Sequence, residues 1–132
     1  MLAGADPAKK VRALQSDHVT VTGWVPSMTD CYAQARIFIA PMRLGTGLQN
    51  KLLEAMSMKL PCVTSPLAAK PLDPAAKEGA VIACSTTRQY VDTLDRLLTD
   101  SSYYQQLAEH GNTFVHEHYD WTNATKKLEQ LF

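Results

Sequence analysis

Short apolar segments that alternate with helix-like segments constrain the fold of this chain more strongly than any other feature of its sequence. Strand-like patterns, either alternating or continuously apolar, cover residues 18–22, 37–40, 62–64 and 80–83. Strands that alternate with helices form strand–helix–strand units with parallel pairing and right-handed crossovers. We therefore predict an α/β fold in which helices sandwich a Rossmann-like parallel sheet.

Capping residues predict where the helices begin. Asp6 as an N-cap, followed by Pro7 at the first helical position, favours a first helix. Ser27 and Asp30 have the spacing of a capping box and favour a second helix. We predict helices over about residues 7–14, 27–35, 48–58, 88–98, 102–118 and 122–131, and a loop with at most one helical turn over residues 65–79.

The composition excludes several classes of protein. The 132 residues carry thirteen basic and thirteen acidic side chains, so the chain lacks the positive charge that nucleic acids or polybasic membrane patches require. It has no apolar run of about 20 residues and no signal-peptide features, which favours a cytoplasmic protein. Cys31, Cys62 and Cys84 are too widely spaced for a zinc site or a disulfide framework, and we predict that they are small buried hydrophobic residues.

The segment from residue 39 to residue 56 carries the strongest functional signal. A strand that ends near Pro41 is followed by a glycine-rich loop and by a helix that we predict to begin at Gly47. In parallel sheets, ligands bind beyond the carboxyl ends of the strands. Unpaired backbone amides at a helix start, here those of Thr46, Gly47 and Leu48, form an anion site that a phosphate can approach closely beside glycine.

Helical spacing places the polar residues of this segment on one stripe. Gly47, Lys51 and Glu54 share that stripe, and a rise of 1.5 Å per residue puts Glu54 about 10 Å from Gly47 along the axis. A nucleoside diphosphate along the helix would have its phosphates at the helix start and its ribose hydroxyls near the carboxylate of Glu54. Arg43 and Lys51 add positive charge near the phosphates. Another face is apolar and consists of Leu48, Leu52, Ala55 and Met56.

The same residues also fit a purely structural role. Gly45 and Gly47 suit a turn between a strand and a helix, and Lys51 with Glu54 suits a solvated ion pair on a helix surface. Two glycines at this spacing do not by themselves distinguish a phosphate site from a turn.

Motifs over nearly the whole chain resemble those of one enzyme family. They are V-T-G-W-V-P at 21–26, Y-x-x-A at 32–35, I-A-P-x-R-x-G-x-G-x-x-x-K-x-x-E-A-M-S at 39–57, P-C-V-T at 61–64, L-L-x-D at 97–100 and Y-D-W at 119–121. With these motifs the chain resembles the C-terminal donor-binding domain of the GT-B retaining glycosyltransferases, and the closest group is family 4, also called group 1.

The resemblance implies a role for each matching residue. The residue after the strand-end glycine, Trp24 or Val25, is expected to contact the base of the donor, and Glu54 is expected to bind its ribose. The donor diphosphate and sugar are assigned to Gly45, Thr46, Gly47 and Leu48. The implied reaction is a retaining, metal-independent transfer of a hexose from a UDP- or GDP-sugar, without a cofactor and without a catalytic residue from this chain.

The resemblance also implies that residues 1–132 form part of a donor-binding domain that is truncated at its N-terminal side, with the N-terminal acceptor domain missing. The isolated chain is then expected to be inactive, and membrane association would require the missing domain or a lipid acceptor. The alternative is a non-catalytic, Rossmann-like nucleotide-binding or interaction module.

Two positions depart from the family pattern. Thr46 replaces a glutamate that is common in the family, which leaves the donor sugar open. Lys59 replaces a glycine that ends the helix, and a left-handed conformation there is expected to cost about 1 kcal/mol relative to glycine.

Overall fold

The structure is a computed structural model that describes residues 1–45, 47, 49–72, 78–119 and 129–130. It divides the chain into two compact units, Met1–Gln34 and Ala35–Phe132. Every strand pair that is described in either unit is parallel. The prediction of an α/β fold with parallel strands and intervening helices is therefore confirmed.

The first unit contains a parallel two-stranded sheet and two helices. Its elements are β1 (Leu2–Ala3), α1 (Lys9–Arg12), β2 (Val21–Gly23) and α2 (Met28–Gln34). Strand β2 begins three residues later than predicted, because the hydroxyl of Ser16 accepts hydrogen bonds from the amides of His18 and Val19 and holds these residues in a turn. The bounds of α2 lie within one residue of the prediction.

Helix α1 is shorter than the sequence pattern predicts. The predicted N-cap at Asp6 is wrong, since Asp6 adopts a left-handed φ of 46° and Ala8 occupies the N-cap position. Short polar side chains such as aspartate tolerate this conformation. Pro7 lies outside the helix, where its carbonyl accepts a hydrogen bond from Nε of Arg12 at 3.0 Å.

The second unit contains a parallel three-stranded sheet and four described helices. Its elements are β3 (Phe38–Ala40), α3 (Asn50–Ser57), β4 (Cys62–Thr64), α4 (Pro66–Ala69), β5 (Ile82–Ala83), α5 (Thr87–Thr99) and α6 (Ser101–His118). The strand order is β3-β4-β5, and Phe38, Ile39 and Ala40 pair with Cys62, Val63 and Thr64. The central strand β4 has the bounds that the sequence predicts.

Strand β4 forms the centre of the core, since all three of its residues are buried. Val63 in this strand belongs to a hydrophobic cluster with Cys84, Leu97 and Leu107. Burial raises the pKa of the Cys62 thiol, because the interior disfavours the charged thiolate. The prediction of buried cysteines is confirmed for Cys62 and Cys84 and is wrong for Cys31, which is half-buried.

The continuous apolar run at 37–40 is typical of a strand buried on both faces, but β3 is not such a strand. Ile39 is 43% exposed, and its two neighbours in the strand are half-buried. Strand β3 lies at the edge of the described three-stranded sheet, so it has a paired neighbour on only one side. A continuous apolar run therefore identified the strand correctly and its position in the sheet incorrectly.

Side-chain caps begin three helices of the second unit. Ser65 caps α4, whose single turn matches the one helical turn allowed for residues 65–79. Thr86 forms a capping box with Gln89 at the start of α5, and Asp100 caps α6. Both long helices lie within one residue of their predicted bounds, whereas most of the helix predicted over 122–131 lies outside the described residues.

No helix in the described part of the chain combines the length and the apolar character that are needed to cross a membrane.

Candidate functional site

The loop between β3 and α3 has a backbone that requires glycine at two positions. Gly45 has a φ of 137° and Gly47 a φ of 77°, both of which L side chains rarely adopt. Gly45 is exposed, and a Cβ there would lie 3.0 Å from the Cε atom of Met42, which is the end of a flexible side chain. The side-chain amide of Gln49 donates to the carbonyl of Gly47 at 3.4 Å. This loop directly follows the carboxyl end of β3, where parallel sheets bind ligands.

The predicted start of the helix at Gly47 is wrong by three residues. Helix α3 begins at Asn50, with Gln49 in an extended conformation as its N-cap. The physical reason is the left-handed φ of Gly47, which a right-handed helix does not accommodate. Gly47 consequently lies in the loop rather than in the first helical turn, and Thr46 and Leu48 lie outside the described residues.

Helix α3 separates an apolar face from a charged face. Its buried residues are Leu52, Ala55 and Met56, none more than 1% exposed, which confirms that part of the predicted apolar face. Lys51 and Glu54 are exposed and lie one helical turn apart. Arg43 in the preceding loop is also exposed. The structure therefore places both basic side chains and the carboxylate on one continuous loop–helix segment.

The carboxyl end of α3 closes in a Schellman motif. The amide of Leu60 donates to the carbonyl of Ala55, and the amide of Lys59 donates to that of Met56, both at 3.1 Å. Lys59 has a φ of 59°, so the condition under which lysine was expected to cost stability relative to glycine is met. Leu60 and Ala55 are both buried, as the hydrophobic contact of such a motif requires.

A second anchor of α3 comes from helix α6 and was missed at the sequence level. The side-chain amide of Asn112 donates to the carbonyls of Ser57 at 2.8 Å and Met56 at 3.5 Å. The contact spans 55 residues of chain, so no local pattern indicates it. A signal did exist, because Gly111 and Asn112 are both poor helix formers in the middle of a long helix.

The predicted base-contacting residues belong to the first unit. Trp24 is 73% exposed and Val25 is half-buried, and both follow Gly23 at the end of β2. Gly23 has a left-handed φ of 69°, and its carbonyl accepts hydrogen bonds from the amide of Gly4 and the hydroxyl of Thr22. An exposed indole directly after a strand end is available for stacking on a ligand.

Strand β4 also ends in polar residues. The hydroxyl of Thr64 is fully buried and has no hydrogen-bond partner among the described residues. Ser65, the next residue, instead uses its hydroxyl to accept from the amide of Ala68 and so begins α4. Over the described ranges, no three His, Cys, Asp or Glu side chains come together as a metal site would require.

These features define a class of protein by its fold, namely α/β domains with a Rossmann-like parallel sheet. Residues 1–100 match the family model described as glycosyl transferases group 1. The chain therefore belongs to the group 1 glycosyltransferases.

A solved structure supports the same fold. The chain is similar to the C-terminal domain of a group 1 family glycosyl transferase (LpcC) from Francisella tularensis, with a TM-score of 0.63 and 22% sequence identity. The similarity covers 76% of this chain and 53% of that one, so the chain spans about half the length of the domain it matches. No curated protein matches the sequence.

Proposed function

We propose that this chain binds the nucleotide-sugar donor of a retaining, metal-independent hexosyltransferase. The donor is a UDP- or GDP-sugar, the acceptor site lies in a separate N-terminal domain, and the enzyme works in the cytoplasm without a cofactor. Membership of the group 1 glycosyltransferases supports the class of reaction. The isolated chain supplies no catalytic residue of its own and is expected to transfer no sugar.

The observation that carries the proposal is the loop–helix segment after β3. Gly45 and Gly47 hold left-handed conformations that leave the loop backbone open to a phosphate. Lys51 and Arg43 supply positive charge, and Glu54 supplies a carboxylate on the exposed face of the same segment. A surface ion pair alone does not require a glycine-dependent loop at the carboxyl end of a parallel strand.

Each residue has a separate role in this proposal. The backbone of the loop from Gly45 through Thr46, Gly47 and Leu48 binds the diphosphate and the sugar. Arg43 and Lys51 neutralise phosphate charge. Because α3 begins at Asn50, the Glu54 carboxylate lies only about 6 Å along the helix from its start at 1.5 Å per residue, where it accepts hydrogen bonds from the ribose hydroxyls. Trp24 or Val25 contacts the base.

Titration of the purified chain with UDP, GDP and the corresponding nucleotide sugars, followed by amide chemical shifts, tests this proposal. We expect shifts confined to residues 23–25 and 43–54. Glu54→Ala is expected to weaken binding about tenfold, because a hydrogen bond to a charged group contributes more than a neutral one. Glu109→Ala on the exposed surface of α6 is the control, since it removes the same charge elsewhere in the chain.

Two results would contradict the proposal. No response at millimolar nucleotide would instead favour a non-catalytic interaction module. Robust sugar transfer by the purified chain would show that no separate acceptor domain is needed.

A further inference from the structure

The side chain of Asn112 in helix α6 is hydrogen-bonded to the carboxyl end of α3. Asn112 donates from Nδ2 to the carbonyl of Ser57 at 2.8 Å and reaches that of Met56 at 3.5 Å. Carbonyls in the last turn of a helix lack partners within the helix. Beside the Schellman bonds to Ala55 and Met56, Asn112 therefore gives the carbonyl of Ser57 a donor and links α3 to a helix that lies far away in the sequence.

Gly111, the residue before Asn112, is closely packed. It is buried, and a Cβ on it would lie 3.0 Å from the carbonyl oxygen of Ala80 and 3.7 Å from the side chain of Met56. A Cβ at this position would press on the backbone carbonyl of Ala80, whereas 3.7 Å from Met56 is an ordinary van der Waals contact. The glycine therefore lets α6 lie close to the residues before β5, and the next residue, Asn112, lies at the end of α3.

The hydrogen bond from Asn112 adds a directional contact to the apolar packing of α3. The burial of Leu52, Ala55 and Met56 fixes which face of the helix lies against the core, whereas the hydrophobic effect itself has no preferred direction. A hydrogen bond depends steeply on distance and angle. The exposed Glu54 lies one turn before Ser57, so the axial position of Ser57 sets the axial position of the carboxylate.

We propose that Asn112 is a positioning residue of the donor site, which holds Glu54 at the correct distance from Gly45 and Gly47 in the preceding loop. This inference rests on the proposed function, because it assigns Asn112 to the binding of ribose through Glu54. Asn112 does not touch the donor itself.

The first test needs no nucleotide. In Asn112→Ala, the backbone amide shifts of residues 51–54 are expected to change, although they lie at least three residues from the lost hydrogen bond at Ser57. Asp100→Ala is the control, since it removes the N-cap at the other end of α6, where Asp100 accepts from the amide of Tyr103 at 3.0 Å. It destabilises the same helix without touching α3. Unchanged shifts at residues 51–54 in Asn112→Ala would overturn the inference.

The second test compares UDP with 2′-deoxy-UDP, and GDP with 2′-deoxy-GDP, by titration. The wild-type chain is expected to prefer the ribonucleotide about tenfold, because its 2′-hydroxyl donates to a carboxylate. In Asn112→Ala this preference falls to about threefold or less, and Asp100→Ala keeps it, since a change in overall stability does not alter the ratio for folded molecules. Asn112→Asp keeps the size of the side chain and removes the donor, so it should behave as Asn112→Ala does.

The outcomes separate this inference from the proposed function. Absence of nucleotide binding by the wild-type chain overturns the proposed function and, with it, the role of Asn112 in donor binding. If the wild-type chain binds nucleotides and prefers the ribonucleotide, and Asn112→Ala keeps the same preference, only the role of Asn112 is overturned.

Discussion

Lys59 is a lysine in a backbone conformation that glycine adopts more easily, with a φ of 59° at the end of α3. Lys59→Gly is expected to raise the free energy of unfolding by about 0.5–1 kcal/mol, because relief of left-handed strain exceeds the extra entropy of glycine in the unfolded chain. Urea unfolding of the two proteins measures the difference.

The matched control for this substitution is Lys70→Gly. Lys70 occupies the C-cap of α4 with an ordinary φ of −55°, so glycine there relieves no strain and is expected to lower stability by about 1 kcal/mol. Equal losses in the two variants would show that the conformation of Lys59 is not strained.

Lys59 and Asp6 both adopt a left-handed conformation, which the family pattern suggested for Lys59 and which the N-cap predicted at Asp6 did not anticipate. Helix α3 packs by its apolar face and is followed at once by the buried strand β4. The chain must therefore change direction within a few residues, and a left-handed residue at the helix end makes this possible. Asp6 has no such constraint, since α1 contains no buried residue. Its aspartate and the following proline suit an N-cap and a turn equally well, and the chain adopts the turn.

At the scale of elements, the capping box of α5 is the clearest local determinant. The hydroxyl of Thr86 accepts from the amide of Gln89 at 3.2 Å, while the side chain of Gln89 accepts from the amides of Thr86 at 3.3 Å and Ser85 at 2.6 Å. Thr86→Ala is expected to cost about 1 kcal/mol in unfolding free energy, as measured by urea titration.

Thr87→Ala provides the comparison, because it is the same chemical change one residue further on, at the first position inside the helix. Alanine is the better helix former there, so stability is expected to stay equal or to rise slightly. A loss in Thr87→Ala as large as that in Thr86→Ala would contradict the capping role.

Helix bounds could be predicted from sequence where a side chain caps the helix and not where loop backbone sets the start. Helices α5 and α6 begin at Thr86 and Asp100 caps and lie within one residue of their predicted bounds. Helix α3 has no side-chain cap hydrogen bond. Its start depends on the φ of Gly47. Because glycine adopts positive and negative φ about equally readily, the sequence does not determine this angle.

At the scale of the whole molecule, the alternation of strand-like and helix-like segments is enough to predict a parallel fold. It does not predict which strands pair. Local patterns identified β4 within its bounds, but they did not show that β3 is an edge strand with an exposed Ile39. The residues of the candidate site also differ in whether the sequence indicates them. Helical spacing predicts that Glu54 and Lys51 lie on one stripe, while Asn112 contacts α3 across 55 residues, and only the structure shows its partner.

The two units also differ in how deeply their sheets are buried, which predicts unequal protection from hydrogen exchange. In the first unit, the amide of Leu2 donates to Thr20 at 2.7 Å, but β2 is only half-buried and Leu2 is 41% exposed. In the second unit, the amide of Cys84 donates to Thr64 at the same distance, within a fully buried core.

Two-stranded sheets are marginal by themselves, so the amide of Leu2 is expected to exchange through local opening and that of Cys84 only through opening of the core. After correction for intrinsic rates, we expect Leu2 to exchange at least about a hundredfold faster than Cys84, since local and global openings differ by several kcal/mol. Amide exchange followed by NMR measures both sites in one sample. Because the two hydrogen bonds are equally short, a large difference must come from burial and cooperativity, and equal protection would show instead that both units open as one.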